Sequence, residues 1–272
     1  ADRDLITKLL RRIPRFTEFK RTLLSSIWYG KSANICNFKW NYRNAKRELV
    51  VDNWLNINGD KLVLRTNDKK NLVCGVKIFM GSSTGDMLVD NSLTLSKIFS
   101  ESELLIATHC EDENVINANK AKYPDADNAS YHPLIRNVDA CFQSSLYAVQ
   151  LAKKYNTRLH ILHISTAKEL QLFTNMLPLS EKRITSEVCV HHLHFTADDY
   201  AQFGNLIKCN PAIKGPENKP ELWKALLDDR LDIIATDHAP HTWEEKQQPY
   251  QKAPSGVPLV QHSLLLMLEY VK

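Results

Sequence analysis

Three apolar runs in this chain end in residues that can bind a metal or move a proton, and a fourth carries a lysine inside it. The runs with polar ends are Leu104-Leu105-Ile106-Ala107-Thr108-His109, Leu159-His160-Ile161-Leu162-His163 and Ile233-Ile234-Ala235-Thr236-Asp237-His238-Ala239-Pro240-His241. The fourth is Gly75-Val76-Lys77-Ile78-Phe79-Met80-Gly81, followed by Ser82-Ser83-Thr84-Gly85. At the carboxyl end of a barrel or open-sheet strand a side chain points into the crevice shared by the whole sheet, so this repetition predicts strands that deliver one site. Helical patterns separate the runs. Leu95, Ile98 and Phe99 follow the lysine run, Phe142, Leu146 and Val149 form a stripe before the His163 run, and residues 221–227 precede the last. Alternating strands and helices imply parallel strands with crossover helices. The turn-rich stretch 122–128 is the clearest connector.

Lys77 is the least comfortable of these residues, because burying an ammonium is costly unless it is ion-paired, deprotonated or modified. His160 and His163 have opposite strand parity, so only one is expected to face the interior. We assign that place to His163 and read His160 as an ordinary packed histidine. Two histidines, a lysine and an aspartate, each at the end of its own strand, resemble a divalent metal site of the kind that imidazole and carboxylate ligands build for zinc.

The segments VKIFMGSSTG, ATHCEDE, LHILHIST, SEVCVHHL, KCNPAIK and IATDHAPHT follow one another in this order. Together they resemble the dihydroorotases of the amidohydrolase superfamily, in the group whose bridging ligand is a lysine, over about residues 71–266. The resemblance implies an α/β fold, a (β/α)8 TIM-like barrel of which strands 4 to 8 are recognisable here. It also implies a Lys77 carboxylated by carbon dioxide and bridging one or two Zn2+ ions. His109 and His163 would hold the second metal and Asp237 the first, with Asp237 also acting as general base and then acid. Asn210, His241 and the loop around Gly256 would bind the substrate, the last through backbone amides. The implied reaction interconverts N-carbamoyl-L-aspartate and dihydroorotate in pyrimidine synthesis. Two further readings stay open: a catalytically impaired homologue or fragment serving as a scaffold, and a hydantoinase- or allantoinase-type cyclic amidase.

The remaining histidines are weighed against packing. His191, His192 and His194 are expected to support the ligands by hydrogen bonds or simply to pack, since an H-x-H pair made of His192 and His194 follows the wrong strand for the family. His238 would orient a neighbour. His132 and His262 receive no role, and Arg136 is read as structural.

The chain departs from the family upstream. Members open the barrel with H-x-H-x-R, whose histidines complete the first metal and whose arginine grips the substrate carboxylate, whereas the first histidine here is His109. Residues 1–70 hold 16 Lys and Arg against 7 Asp and Glu, while the chain as a whole carries only +4. We therefore divide the chain into an atypical basic segment, 1–70, and a barrel portion, 71–272. A frameshifted, misjoined or rearranged beginning is the preferred explanation, with genuine divergence second. Its basic residues are dispersed among apolar ones, so nucleic acid is not an expected partner. No run approaches the roughly 18 apolar residues of a membrane span, and the first 16 residues do not resemble a secretory signal. Six cysteines without a C-x-x-C pair suit reduced thiols in the cytoplasm. The expected partner is a small-molecule substrate, with homo-oligomerisation left open. Residues 260–272 read as a helix carrying Leu264, Leu265, Leu268 and Val271, beyond which family members add further barrel and a small sandwich.

Overall fold

The computed structural model describes residues 55–58, 61–64, 75–81 and 88–271. Most of the basic segment and the loop 82–85 lie outside the described residues. Strands β1 (Leu55–Asn58) and β2 (Lys61–Leu64) form an antiparallel pair with Leu55 opposite Leu64. Strands β3 (Val76–Phe79), β4 (Ile106–His109), β5 (Leu159–Ile161), β6 (Ile184–Cys189) and β7 (Ile233–Ala235) form a second sheet in that order, every neighbouring pair parallel. Sequential parallel strands need a crossover between each pair. The result is an arc of a barrel, its strands corresponding to the five recognised in the sequence.

Three of the crossover helices start where the sequence supplies a cap. Asn91 accepts from the amides of Leu93 and Thr94 to open α1 (Ser92–Glu101). Asp112 does the same for Asn114 and Val115 at α2 (Glu113–Lys122), and Asn137 caps α3 (Val138–Tyr155) through the Ala140 amide. Each side-chain oxygen satisfies amides that a helix start leaves open. Helix α3 ends on Asn156 with φ 54°, a left-handed conformation that Asn tolerates. Three further helices matter below: α4 (Val190–His194), α5 (Asn218–Leu227) and α6 (Val260–Glu269).

Strand alternation divides the side chains between two layers. Val76 and Ile78 of β3, Ile106 of β4, and Leu159 and Ile161 of β5 pack with Leu95, Ile98 and Phe99 of α1 and Ala148 and Val149 of α3. Lys77 and Phe79 alternate with Val76 and Ile78 and are less buried. The approach of β3 to β4 is close at Gly81, where a Cβ would sit 1.8 Å from the Glu111 carbonyl oxygen. Only a residue without a side chain fits there.

One expectation for a helix face is corrected, and the helix expected over residues 260–272 forms at Val260–Glu269. The core face of α3 is made by Ala140, Cys141, Ser144, Ser145, Ala148, Val149, Leu151 and Ala152 rather than by a Phe142–Leu146–Val149 stripe. Its small residues let the helix lie close to the sheet, and Phe142 moves to the flank, where the Lys168 ammonium covers its ring at 4.7 Å. In α6, Leu264, Leu265 and Leu268 are exposed and Met267 is the buried residue. No described helix is long and apolar enough to cross a membrane.

Candidate active site

Strand register places the polar residues. Lys77 lies opposite Ala107, Ala107 opposite His160, and His160 opposite Thr185. Partners in a parallel sheet share a face, so these four side chains project together from the interior side. Phe79 pairs with His109 one step closer to the carboxyl ends. The parity assignment of His160 is thus overturned: its Nδ1 meets Thr185 Oγ1 at 2.9 Å and its Nε2 meets Glu187 Oε2 at 3.1 Å. His163 reaches the same interior because its φ is 41°, a positive value that breaks the alternation just beyond β5. Its amide lies 3.4 Å from Glu187 Oε1. Asp237 has the same kind of backbone, φ 44°, just beyond β7. Left-handed conformations at non-glycine residues cost about 1–3 kcal/mol and gather at functional sites.

The two histidines meet. His109 Nδ1 and His163 Nε2 are 3.0 Å apart, with ring centroids at 4.7 Å in an edge-on arrangement. Both rings are buried, and burial lowers both pKa values, so they are neutral imidazoles. Which nitrogen of His109 carries the proton follows from its neighbour. His109 Nε2 lies 3.0 Å from Glu111 Oε2, and that carboxylate also accepts from Arg136 Nη1. Burial opposes the charge on Glu111, yet the Arg136 guanidinium holds its carboxyl down to about 2. An ionised carboxylate only accepts, so His109 donates from Nε2 and keeps a lone pair on Nδ1. That lone pair points at His163. A carboxylate that fixes the tautomer of a ligating imidazole is a recurrent arrangement at metal sites.

Lys77 and Asp237 perturb one another. Burial drives the Lys77 amine down to about 7, against the raising effect of Asp237 and Glu187. Burial likewise drives the Asp237 carboxyl up to about 7, with Lys77 opposing and Glu187 reinforcing. Both residues keep intermediate exposure overall. Their charged ends are nonetheless surrounded closely enough for desolvation to dominate. The Lys77 ammonium also sits 4.7 Å from the Phe79 ring centroid. Lys77 acts electrostatically on His109 and His163 as well as on Asp237. His109, His163 and Asp237 are not brought into one triplet with all donors within 4.8 Å; among the described residues that spacing belongs to Cys189, His191 and His192.

The expected substrate-binding residues are held from behind. His132 Nε2 lies 3.0 Å from Asn210 Oδ1 and 2.9 Å from the Cys209 carbonyl, and its Nδ1 lies 3.0 Å from Tyr250 Oη. A histidine read as having no role therefore anchors the Asn210 segment. His241 Nε2 approaches the Ser255 carbonyl at 3.2 Å and its Nδ1 approaches Glu245 at 3.3 Å. Gly256 has φ 148°, and a Cβ there would lie 2.6 Å from the Ala239 carbonyl and 3.0 Å from the His241 ring. Its amide donates to the Lys208 carbonyl at 2.9 Å, so that N–H is committed within the protein rather than open to a substrate. His238 Nδ1 accepts the Val260 amide at 3.2 Å. His194 stands apart, bonded to Tyr270 Oη at 2.9 Å. Glu111, Glu187, Arg136 and His132 are the residues that sequence reasoning missed or undervalued.

No protein-family model matches the chain. The dihydroorotase of Methanothermobacter thermautotrophicus is 32% identical over 243 residues, covering 88% of this chain and 53% of that protein. The chain is a relative of the dihydroorotases. This dihydroorotase relative spans about half the length of the curated proteins it matches. An alignment over 88% of the chain is wider than residues 71–272, so the likeness extends into the first 70 residues. Among solved structures, the L-hydantoinase (dihydropyrimidinase) of Arthrobacter aurescens aligns with TM-score 0.65 and 25% identity over 71% of this chain and 44% of its own. The Saccharomyces cerevisiae dihydroorotase in complex with 5-fluoroorotic acid aligns with TM-score 0.56 and 19% identity over 74% of this chain and 55% of its own. The five-stranded arc of this dihydroorotase relative is thus part of an amidohydrolase barrel.

Proposed function

We propose that residues 71–272 are the barrel portion of a zinc-dependent cyclic amide hydrolase of the dihydroorotase type, acting on N-carbamoyl-L-aspartate and (S)-dihydroorotate in the cytoplasm. The observation that carries this reading is the facing pair His109 Nδ1 and His163 Nε2. These donors fit a metal: two neutral imidazole nitrogens converge, and the tautomer of one is set by a buried carboxylate. Imidazole and carboxylate are the donors zinc takes. Lys77 would join them as a carbamate. A buried amine with a depressed pKa offers its nitrogen lone pair to carbon dioxide, forming an N–C bond and releasing one proton. The anion that results removes the cost of a buried ammonium.

When bound, a zinc ion supplies Lewis-acid polarisation of an amide carbonyl and acidification of water. His109 and His163 would hold it, with Glu111 and Arg136 keeping the His109 ring in place. Asp237 would take a proton from the attacking water as the C–O bond forms. It would return that proton to the amide nitrogen as the C–N bond breaks. A carboxyl with its pKa near neutrality suits both transfers. Asn210 and His241 would contact the substrate, Asn210 being positioned by His132.

The second reading, a homologue that keeps the fold without turnover, is favoured by one observation: the donor atoms of His109, His163 and Asp237 do not all lie within 4.8 Å of one another. Turnover of dihydroorotate by the purified chain, after chelation and after zinc is returned, separates the two. Zinc-restored activity that Asp237→Asn abolishes without unfolding supports the hydrolase. A folded, zinc-loaded chain with no turnover supports the inactive homologue.

A further inference from the structure

Strand β6 ends at Cys189, and the chain turns at once into the short helix α4. This turn brings the donor atoms of Cys189, His191 and His192 within 4.8 Å of one another, and all three residues are buried. The imidazole rings are tilted 46° to one another, centroids 4.2 Å apart. Their hydrogen bonding is incomplete. His192 Nε2 lies 3.1 Å from the Pro211 carbonyl, which can only accept, so that nitrogen carries the proton and Nδ1 keeps a lone pair. His192 Nδ1 has no partner, and neither ring nitrogen of His191 has one. Three orphaned nitrogens in one buried spot are unusual, since buried polar atoms nearly always find partners. Each costs about 1–3 kcal/mol if left so. Beside them stands a free thiol with no exposure.

We propose that Cys189, His191 and His192 form a second metal site, binding a thiophilic divalent ion such as zinc through one sulfur and two imidazole nitrogens, none of them shared with the Lys77–His109–His163–Asp237 donors. The donor types are those of mixed cysteine and histidine zinc sites. The Pro211 carbonyl fixes the His192 tautomer as a carbonyl or carboxylate fixes ligating histidines elsewhere. Binding deprotonates the thiol: the S–H bond breaks, one proton leaves to solvent, and the sulfur lone pair goes to the ion. No oxidant or reductant is needed. An ion there would tie the end of β6 to the Pro211 segment through His192.

Cobalt distinguishes this site from the other. The donors assigned to the candidate active site contain no sulfur, so a thiolate-to-cobalt charge-transfer band in the near ultraviolet reports a cysteine ligand, which of the two sites only this one has, and the cysteine variants identify which thiol it is. The purified full chain is stripped with a chelator, loaded with Co2+ and scanned. The band is expected in the wild-type chain, retained in His163→Ala and in Cys110→Ala, and lost in Cys189→Ser together with one metal ion per chain. Circular dichroism verifies that Cys189→Ser is folded. If it is not, His191→Gln is scanned instead, with loss or marked weakening of the band expected. A cobalt-loaded wild-type chain without the band, or a band unchanged in a folded Cys189→Ser chain, overturns the proposal. Because His163→Ala leaves these donors intact, failure of the catalytic reading and failure of this one give different results.

Discussion

Replacing Arg136 by leucine tests the support of His109 directly. Glu111 is fully buried, and its carboxylate is shared between the Arg136 guanidinium and the His109 ring. Its pKa falls from 4.5 to about 2, despite burial, because of Arg136. Each pKa unit is about 1.4 kcal/mol, so the ionised carboxylate contributes about 3 kcal/mol to folding. The sign follows from the depressed folded pKa: the contribution is complete above the unfolded value of 4.5 and disappears as pH falls towards 2. Removing one partner of a buried pair costs a similar amount, about 3–5 kcal/mol. In a domain of about 200 residues this lowers Tm by about 10 °C. Urea unfolding of wild-type and Arg136→Leu chains between pH 3 and pH 7 measures both effects. The variant should be destabilised near neutrality and should lose most of the wild-type acid dependence. Equal midpoints at pH 7, or an acid dependence that persists undiminished, would refute the Arg136–Glu111–His109 linkage.

Four further outcomes are expected. Gly81→Ala drives a methyl group into the Glu111 carbonyl and should destabilise the chain by more than about 3 kcal/mol, read by thermal unfolding. His132→Phe strands Tyr250 Oη and Asn210 Oδ1, costing about 2–3 kcal/mol and raising KM more than it lowers kcat. Lys77→Ala should lose metal, by elemental analysis, with partial recovery on adding short carboxylic acids; unchanged metal content contradicts the carbamate. Asp237→Asn should retain the circular dichroism spectrum while turnover falls by at least about a hundredfold, the scale of one general acid–base group.

The arc of strands was legible because each run keeps its apolar residues in a short block and ends in a turn or a polar group. Those patterns place β3, β4, β5 and β7 without any long-range information, whereas β6, with Thr185, Ser186 and Glu187 inside it, is not an apolar block and is carried by the SEVCVHHL likeness. The face of α3 was less legible, since small residues such as Ala148 and Ser145 make a close-packed face that a search for large apolar residues passes over. Parity failed at His163 because the positive φ that turns it inward has no signature in the residue itself. Glu111 was hidden among three consecutive acids. Asp112 caps α2 and Glu113 opens it, while Glu111 turns inward only because Arg136, 25 positions later, comes to meet it. His132 was illegible for the same reason: its partners Cys209, Asn210 and Tyr250 are distant in sequence.

Bound zinc and dihydroorotate turnover, measured on the same samples of wild-type and His163→Ala chains, bear most directly on the facing pair of imidazoles. The predicted result is zinc-dependent turnover in the wild-type chain and loss of both turnover and the corresponding zinc in the variant. A His163→Ala chain that keeps wild-type zinc and turnover, or a zinc-loaded wild-type chain that leaves dihydroorotate intact, would contradict it.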